Sequence, residues 1–258
     1  MQALAIMYHD VVENGDFESS GFPGEGAHVY KLRREDFERH LNAIAKATTA
    51  VSTVCQLEGR PVLLTFDDGG ASSLHPIADL LESHGWRGHF FITTDRIGTP
   101  GFLTEAQLRE LHRRGHIVGS HSRSHPTRMA ALTRAELDGE WRESLARLSG
   151  VLGDAVKVAS VPGGYYSRDV GESAAAAGVE ALFTSEPTAR VENLNGCRVF
   201  GRYVVQRGMR PEWSAGFAVG SPARCWRQSA LWKAKRVAKS LGGGKYLQLR
   251  QAILERKG

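Results

Sequence analysis

Two short clusters in this chain contain side chains that could bind a cation or move a proton. Asp67 and Asp68 directly follow the apolar run 61–66, and His121 and His125 lie four residues apart in a serine-rich turn. Carboxylate oxygens and imidazole nitrogens are common ligands of divalent transition metals, and a set of two histidines and one carboxylate leaves positions open for reacting groups. Together the two clusters predict a metal centre used for chemistry.

Each cluster taken alone has a simpler interpretation. The acids could form a solvated turn that caps the next helix, and the histidines could be unrelated core or surface residues. The metal hypothesis gains weight because both clusters follow apolar runs, and the carboxyl ends of the strands in a β/α barrel form one active face. His9 and Asp10 follow another apolar run, 4–8, so His9 can reach the same face.

The elements that must position these residues follow from the alternation of apolar runs and helical segments. Strands are predicted at 4–8, 61–66, 89–93, 116–120, 156–161, 180–185 and 198–205, and helices at 34–48, 74–84, 105–114, 134–149 and 168–177. Thr104 and Thr133 each precede a Gln or Glu by three residues, which is the pattern of a capping box. Apolar runs without alternation, separated by helices, indicate a parallel sheet covered on both faces, and about seven such units favour a barrel.

Composition limits the class of protein. The chain has 258 residues, of which 41% are hydrophobic and 24% are charged, so disorder, collagen and coiled coil are excluded as the main architecture. Its three cysteines form no CxxC pair and are interpreted as reduced thiols. The first residues lack the pattern of a secretory signal or a membrane span. A cytoplasmic location is therefore predicted, with peripheral attachment to the inner face of the membrane as a further possibility.

The motifs TFDDG (65–69) and HSRSHP (121–126), in this order and spacing, resemble those of the polysaccharide deacetylases, the NodB-homology domains of carbohydrate esterase family four. The resemblance covers residues 4 to 205 and implies a distorted (β/α)7 barrel of α/β class. It also implies a divalent metal, most often zinc, held by Asp68, His121 and His125. Asp67 would then be the base that activates the attacking water.

Two departures from the family pattern bear on mechanism. Ser160 stands where the family has an arginine that orients the base, so this arginine is expected to be absent. Gly163 and Gly164 could still present a backbone N–H to the oxyanion, and Tyr165 or Tyr166 could line the sugar site or pack in the core.

The second departure concerns the general acid. No histidine follows His125, although the family supplies its acid from a late histidine. Tyr8-His9-Asp10 resembles the start of a circularly permuted branch of the family, the biofilm poly-N-acetylglucosamine deacetylases. This resemblance gives His9 the role of acid, with Asp10 as a weaker candidate.

The leading hypothesis is thus a metal-dependent amide hydrolase that removes acetyl from an N-acetylated sugar of a glycan or of an intermediate in glycan assembly. A silent barrel that binds glycan without cleaving it is the alternative from another class. A non-haem iron oxygenase is a second enzyme hypothesis, but in those enzymes the carboxylate lies close in sequence to the first histidine. Here Asp68 precedes both histidines by more than 50 residues.

The last segment of the chain differs from the rest in charge. Residues 224–258 contain ten Lys or Arg and one acid, Glu255, and are predicted to form a basic helical appendage to a barrel of residues 1–223. Its apolar residues could pack on the barrel, or the helix could lie on an anionic membrane surface. Nucleic acid is a less favoured partner, because the segment has no readable DNA- or RNA-binding motif.

Overall fold

The computed structural model describes residues 1–48, 50–234 and 236 of the chain. The strands are β1 (Leu4–Tyr8), β2 (Val11–Val12), β3 (Leu32–Arg33), β4 (Val51–Ser52), β5 (Val62–Phe66), β6 (His89–Ile92), β7 (Ile117–Ser120), β8 (Val158–Ser160), β9 (Ala181–Phe183), β10 (Glu192–Leu194), β11 (Cys197–Phe200) and β12 (Arg202–Val204). The helices are α1 (Glu25–His28), α2 (Arg34–Ala47), α3 (Asp79–Ser83), α4 (Glu105–Arg113), α5 (Arg134–Leu152), α6 (Arg168–Ala176), α7 (Pro211–Ala218) and α8 (222–234).

The central sheet confirms the predicted α/β architecture. Its strands lie in the order β10-β11-β9-β8-β7-β6-β5-β1-β12, with β4 also paired to β5, and all pairs are parallel except β10 with β11. The central strands are buried along their whole length, as the unbroken apolar runs predicted, because helices cover them. The result is a distorted β/α barrel whose parallel strands all direct their carboxyl ends to one side.

The barrel is closed by a bend at Gly201. The sequence predicts a single strand over 198–205, but the structure divides it into β11, which pairs with β9, and β12, which pairs with β1. A side chain at position 201 would collide with the carbonyl oxygen of Glu186 and with Thr188, so the bend requires glycine. One continuous stretch of chain thereby joins the two ends of the sheet.

Local signals in the sequence fix most helix boundaries. Both predicted capping boxes are present, with Thr104 and Thr133 accepting from the backbone N–H three residues on. The predicted helix 74–84 is shorter than expected: regular α-helix covers only α3, because His75, next to Pro76, departs from helical backbone angles. Helix α7 has no polar face to give it a periodic signal, and it was not predicted.

Helix α8 is the only described part of the predicted appendage, and residues 235 and 237–258 lie outside the described residues. The Gln228 side-chain amide bonds both the N–H and the carbonyl of Val204, so it occupies the free edge of β12 as a neighbouring strand would. Ser229 Oγ donates to the Pro187 carbonyl. Within the described residues, none of the helices has the length and apolar character needed to cross a bilayer.

Candidate active site

The structure brings together the three predicted metal ligands from two loops. Asp68 lies in the turn after β5, whereas His121 and His125 lie in the turn after β7. The Nε2 atoms of both histidines are 3.5 Å from Asp68 Oδ1, and one ligand atom from each residue falls within 4.8 Å of the others. Two imidazole nitrogens and one carboxylate oxygen that converge in this way fit a zinc-like ion with open positions.

Unusual backbone conformations aim these side chains. Asp68, Ser122 and His125 have φ of 77°, 63° and 59°, in the left-handed region that non-glycine residues seldom adopt. Part of the cost is offset by a hydrogen bond from the His125 N–H to Ser122 Oγ. Such strain persists when the surrounding fold over-determines it, and it is concentrated at functional sites.

Hydrogen bonding sets the tautomer of His121. Its Nδ1 lies 3.1 Å from the carbonyl of Ser160 and must donate to it, which leaves the lone pair of Nε2 directed at Asp68. Burial lowers the pKa of His121 to about 3 and also lowers the pKa of His125. Both rings are therefore neutral at pH 7, the state that a metal ligand requires.

Electrostatics at Asp68 also favour a cation. Burial, followed by the negative charges of Asp67 and Asp10, raises the pKa of Asp68 well above its ordinary value. A divalent cation between the carboxylate and the two imidazoles would offset this cost directly. The donor set, the neutral histidines and the excess of negative charge all fit the ion that the family resemblance implies.

The predicted base, Asp67, is held by a residue that the sequence analysis missed. Arg202 Nη1 and Nη2 donate to the two carboxylate oxygens of Asp67 at 2.6 and 2.8 Å, and both side chains are almost fully buried, at 1% and 4% exposure. Burial alone would raise the pKa of Asp67, but Arg202, together with His121, holds that pKa well below its usual range. Asp67 is therefore a carboxylate at any pH near neutral.

From the sequence, no arginine was expected to orient the base, and this expectation was wrong. Ser160 does occupy the motif position, but Arg202 reaches the base from β12, and Ser160 Oγ accepts from Arg202 Nη2 at 2.7 Å while it faces Asp67 at 3.3 Å. The remaining Arg202 contacts are to the carbonyl of Thr184 and to Thr65 Oγ1. The available signal was an arginine in the middle of the predicted strand 198–205, because a buried charge requires a partner.

His9 follows β1 and lies near the same group of residues. Its ring contacts Tyr30, with 4.6 Å between ring centroids, and its buried Nδ1 has no hydrogen-bond partner among the described residues. Burial lowers its pKa to about 4, although the charge of Asp67 acts in the opposite direction. An orphaned buried nitrogen beside a catalytic base is a candidate for a contact with substrate.

Asp10, the weaker acid candidate, is held by hydrogen bonds within the fold. Its carboxylate accepts from Ser20 Oγ at 2.5 Å and from Ser72 Oγ at 2.8 Å, and a side chain at Gly21 or Gly70 would collide with it. Asp10 therefore fastens the segment after β2 to the turn after β5.

The glycines and tyrosines after β8 have separate surroundings. Gly163 and Gly164 both have left-handed φ, and a Cβ at Gly163 would collide with the carbonyl of Thr127 in the histidine turn. Tyr165 lies under the guanidinium of Arg128, which is 5.3 Å from the ring centroid. Tyr166 packs against the core and α6, where its hydroxyl reaches Gly171. Of the two tyrosines, Tyr165 has the surroundings expected of a residue that lines a binding site.

Further residues that shape the site were not foreseen. Phe22 contacts the His125 ring with 4.8 Å between centroids, and it belongs to the segment 13–31 between β2 and β3, as Tyr30 does. Glu140 of α5 accepts from the backbone N–H groups of Arg123 and Ser124 and from Ser124 Oγ, and so fixes the histidine turn. Phe22 and Tyr30 come from a segment far away in sequence, Glu140 comes from the α-helix that follows the histidine turn, and none of their side-chain types carries a motif.

Comparison with known proteins finds relatives among the polysaccharide deacetylases. Residues 56–182 match the family model described as polysaccharide deacetylase. The chain is 26% identical over 226 residues to YxkH of Bacillus subtilis, whose name assigns it provisionally to the polysaccharide deacetylases; the match covers 84% of this chain and 74% of that protein. It is 43% identical over 67 residues to the peptidoglycan-N-acetylglucosamine deacetylase PgdA of Listeria monocytogenes, which is 25% of this chain and 13% of that protein.

The fold has solved counterparts. The Streptococcus pyogenes deacetylase PplD, solved in complex with acetate, superposes with a TM-score of 0.68 at 19% identity, over 82% of this chain and 96% of the other. The matched residues 56–182 contain both aspartates and both histidines of the site. The segment 56–182 is therefore a polysaccharide deacetylase domain, of a family of hydrolases that act on the amide bonds of polysaccharides.

Proposed function

We propose that the protein is a metal-dependent N-deacetylase that removes acetyl from an N-acetylated sugar of a glycan or of a glycan-assembly intermediate. The observation that carries this proposal is the ionised Asp67, locked by Arg202 beside the convergent Asp68, His121 and His125. A barrel that only binds glycan has no need of a buried base held in a bidentate ion pair. The hypothesis of a silent glycan-binding barrel was motivated by the expected absence of an orienting arginine. Arg202 is such an arginine.

The residues Asp68, His121 and His125 would hold the metal, and their donor set suits a zinc ion. When bound, such an ion polarises the amide carbonyl and makes a water easier to deprotonate. Asp67 accepts the proton of the attacking water, and its fixed carboxylate needs no reorganisation to do so. The new C–O bond replaces the C–N bond, so the products are acetate and a free amino sugar.

The departing nitrogen needs a proton, and His9, whose buried Nδ1 has no partner among the described residues, is the candidate donor. Because burial lowers its pKa to about 4, His9 is neutral before catalysis and acts by passing on a proton released earlier in the cycle. The backbone at Gly163 and Gly164 would contact the oxyanion, and Tyr165 would line the sugar site. Tyr166, packed toward α6, would support this loop from behind.

Acetate release from N-acetylglucosamine oligomers tests the proposed function. We expect release by the zinc-loaded protein, loss after chelation, and recovery when zinc is added back, because both polarisation and water activation depend on the ion. Free acetate and zinc content are measured on the same samples. Binding of the oligomers without acetate release, in protein that contains stoichiometric metal, would support the silent glycan-binding barrel instead.

The variant His9→Ala tests the assignment of the acid. We expect turnover to fall by about 100-fold or more while zinc content is unchanged, since general acid catalysis contributes at this level and His9 is not a ligand. Added imidazole should restore part of the activity. His75→Ala, which removes an exposed histidine paired with Asp79 on the outside of the barrel, is the matched control. Full activity of His9→Ala would assign His9 to packing against Tyr30.

A further inference from the structure

Helix α8 is attached to the barrel by the side that carries Cys225, Gln228 and Ser229. Gln228 and Ser229 donate hydrogen bonds to the carbonyls of Val204 and Pro187, and Cys225 packs against the core. Pro187 lies in the segment that passes the start of β12 at Glu186 and the start of β1 at Ala189. Helix α8 therefore lies along the edge of β12 and leaves its other side exposed.

The exposed side of α8 carries apolar residues that an ordinary surface helix would bury. Ala223, Trp226 and Ala234 lie on one helical stripe and are exposed, while Ala230 between them is half-buried. Trp226 is 73% exposed, and Leu231 at the edge of the stripe is 55% exposed. Apart from Met1, the large hydrophobic side chains that are exposed in the described residues are these two and the nearby Val219.

The charge around this stripe has one sign. Arg227 and Lys233 flank Trp226 and are exposed, and Arg227 also stacks on Trp213 of α7. The sequence from 213 to 254 contains no aspartate or glutamate. An exposed tryptophan and leucine beside unopposed cations fit the boundary between anionic headgroups and acyl chains, where tryptophan is favoured.

We propose that the outward face of α8 docks the protein on an anionic phospholipid bilayer. Trp226 and Leu231 enter the interface, while Arg227 and Lys233 contact lipid phosphates. The docking surface is separate from the catalytic residues, so its test does not depend on acetate release.

Vesicle flotation of the full-length protein tests this proposal. We expect binding to vesicles that contain phosphatidylglycerol, little binding to pure phosphatidylcholine, and weakening in high salt, which screens charge. The double variant Trp226→Ser, Leu231→Ser should bind about tenfold less or weaker still, because both side chains lose their apolar contact with lipid. Both residues are exposed, so the fold should be unaffected, as circular dichroism can verify.

A charge variant gives a second measurement. Lys233→Gln should weaken binding about fivefold, the expected effect of one cation near the surface, whereas Lys46→Gln, an exposed lysine of α2, should have no effect. Wild-type binding by the double serine variant would overturn the proposal and assign lipid contact to other residues. Absence of binding to anionic vesicles, with dimers in light scattering that the serine variant abolishes, would identify a second copy of the chain as the partner.

Discussion

Replacement of Arg202 by methionine is expected to cost about 3–5 kcal/mol of folding free energy at pH 7 and to reduce turnover by at least about 100-fold. The large effect arises because Asp67 would remain buried at 4% exposure without the two hydrogen bonds that now satisfy its carboxylate. Thermal or urea unfolding gives the first quantity, and acetate release gives the second.

The pH dependence of the folding stability distinguishes loss of the Asp67–Arg202 ion pair from simple loss of packing. In the wild type the folded pKa of Asp67 lies below its unfolded value, so the stabilisation is complete above pH of about 4 and is lost as the pH falls through the folded pKa. Without Arg202, burial raises the folded pKa above the unfolded value. Protonation then favours the folded variant, and the stability gap from the wild type should narrow between pH 7 and pH 5.

A second substitution provides the control for this prediction. Combining Arg202→Met with Asp67→Asn removes the buried charge, so most of the lost stability should return while activity stays absent. The comparison is made on chelated protein, so that metal affinity does not contribute. If Arg202→Met alone unfolds at the same denaturant concentration as the wild type, the ion pair does not hold the base.

The variants Asp68→Ala, His121→Ala and His125→Ala are each expected to lose bound zinc and to lose activity by about 1000-fold or more. Removal of one of three protein ligands leaves too few donors to retain the ion, and metal catalysis disappears with it. Zinc content after dialysis is the primary measurement, with acetate release beside it.

Two comparisons make the ligand assignment specific. Asp67→Asn should keep its zinc and lose turnover, because it removes a base and not a ligand. His112→Ala changes an exposed histidine on α4, outside the site, and should leave both quantities unchanged. Stoichiometric zinc in dialysed His121→Ala or His125→Ala would contradict the assignment of that residue.

Much of the fold was predictable because its signals are local. Buried parallel strands appear as apolar runs, and the hydroxyl groups of Thr104 and Thr133 with the acceptors three residues later fix where α4 and α5 begin. The convergence of Asp68 with His121 and His125 was predictable for the same reason, since each follows a recognisable strand. The roles assigned to Asp67, His9 and the glycines remain predictions for the variants above.

The parts that were not predictable depend on contacts between distant segments. Arg202 is separated from Asp67 by 135 positions, and only the bend at Gly201 brings it to the base. Phe22 and Tyr30 reach the site from an irregular loop, for which neither period nor propensity gives a position. The orientation of α8 also could not be derived, because its apolar stripe suggests packing on the barrel whereas the Gln228 amide attaches the opposite side.

The bend at Gly201 also sets the order in which a working enzyme can be assembled. All three candidate ligands have left the ribosome long before the residue that holds the base, and β12 must pair with β1, nearly 200 positions earlier in the chain. Pairing of such distant strands is slow, so the three candidate ligands can be in place before Arg202 orients Asp67. Under the proposed mechanism, a chain interrupted before residue 202 would retain the candidate ligands and lack the arginine that holds the candidate base.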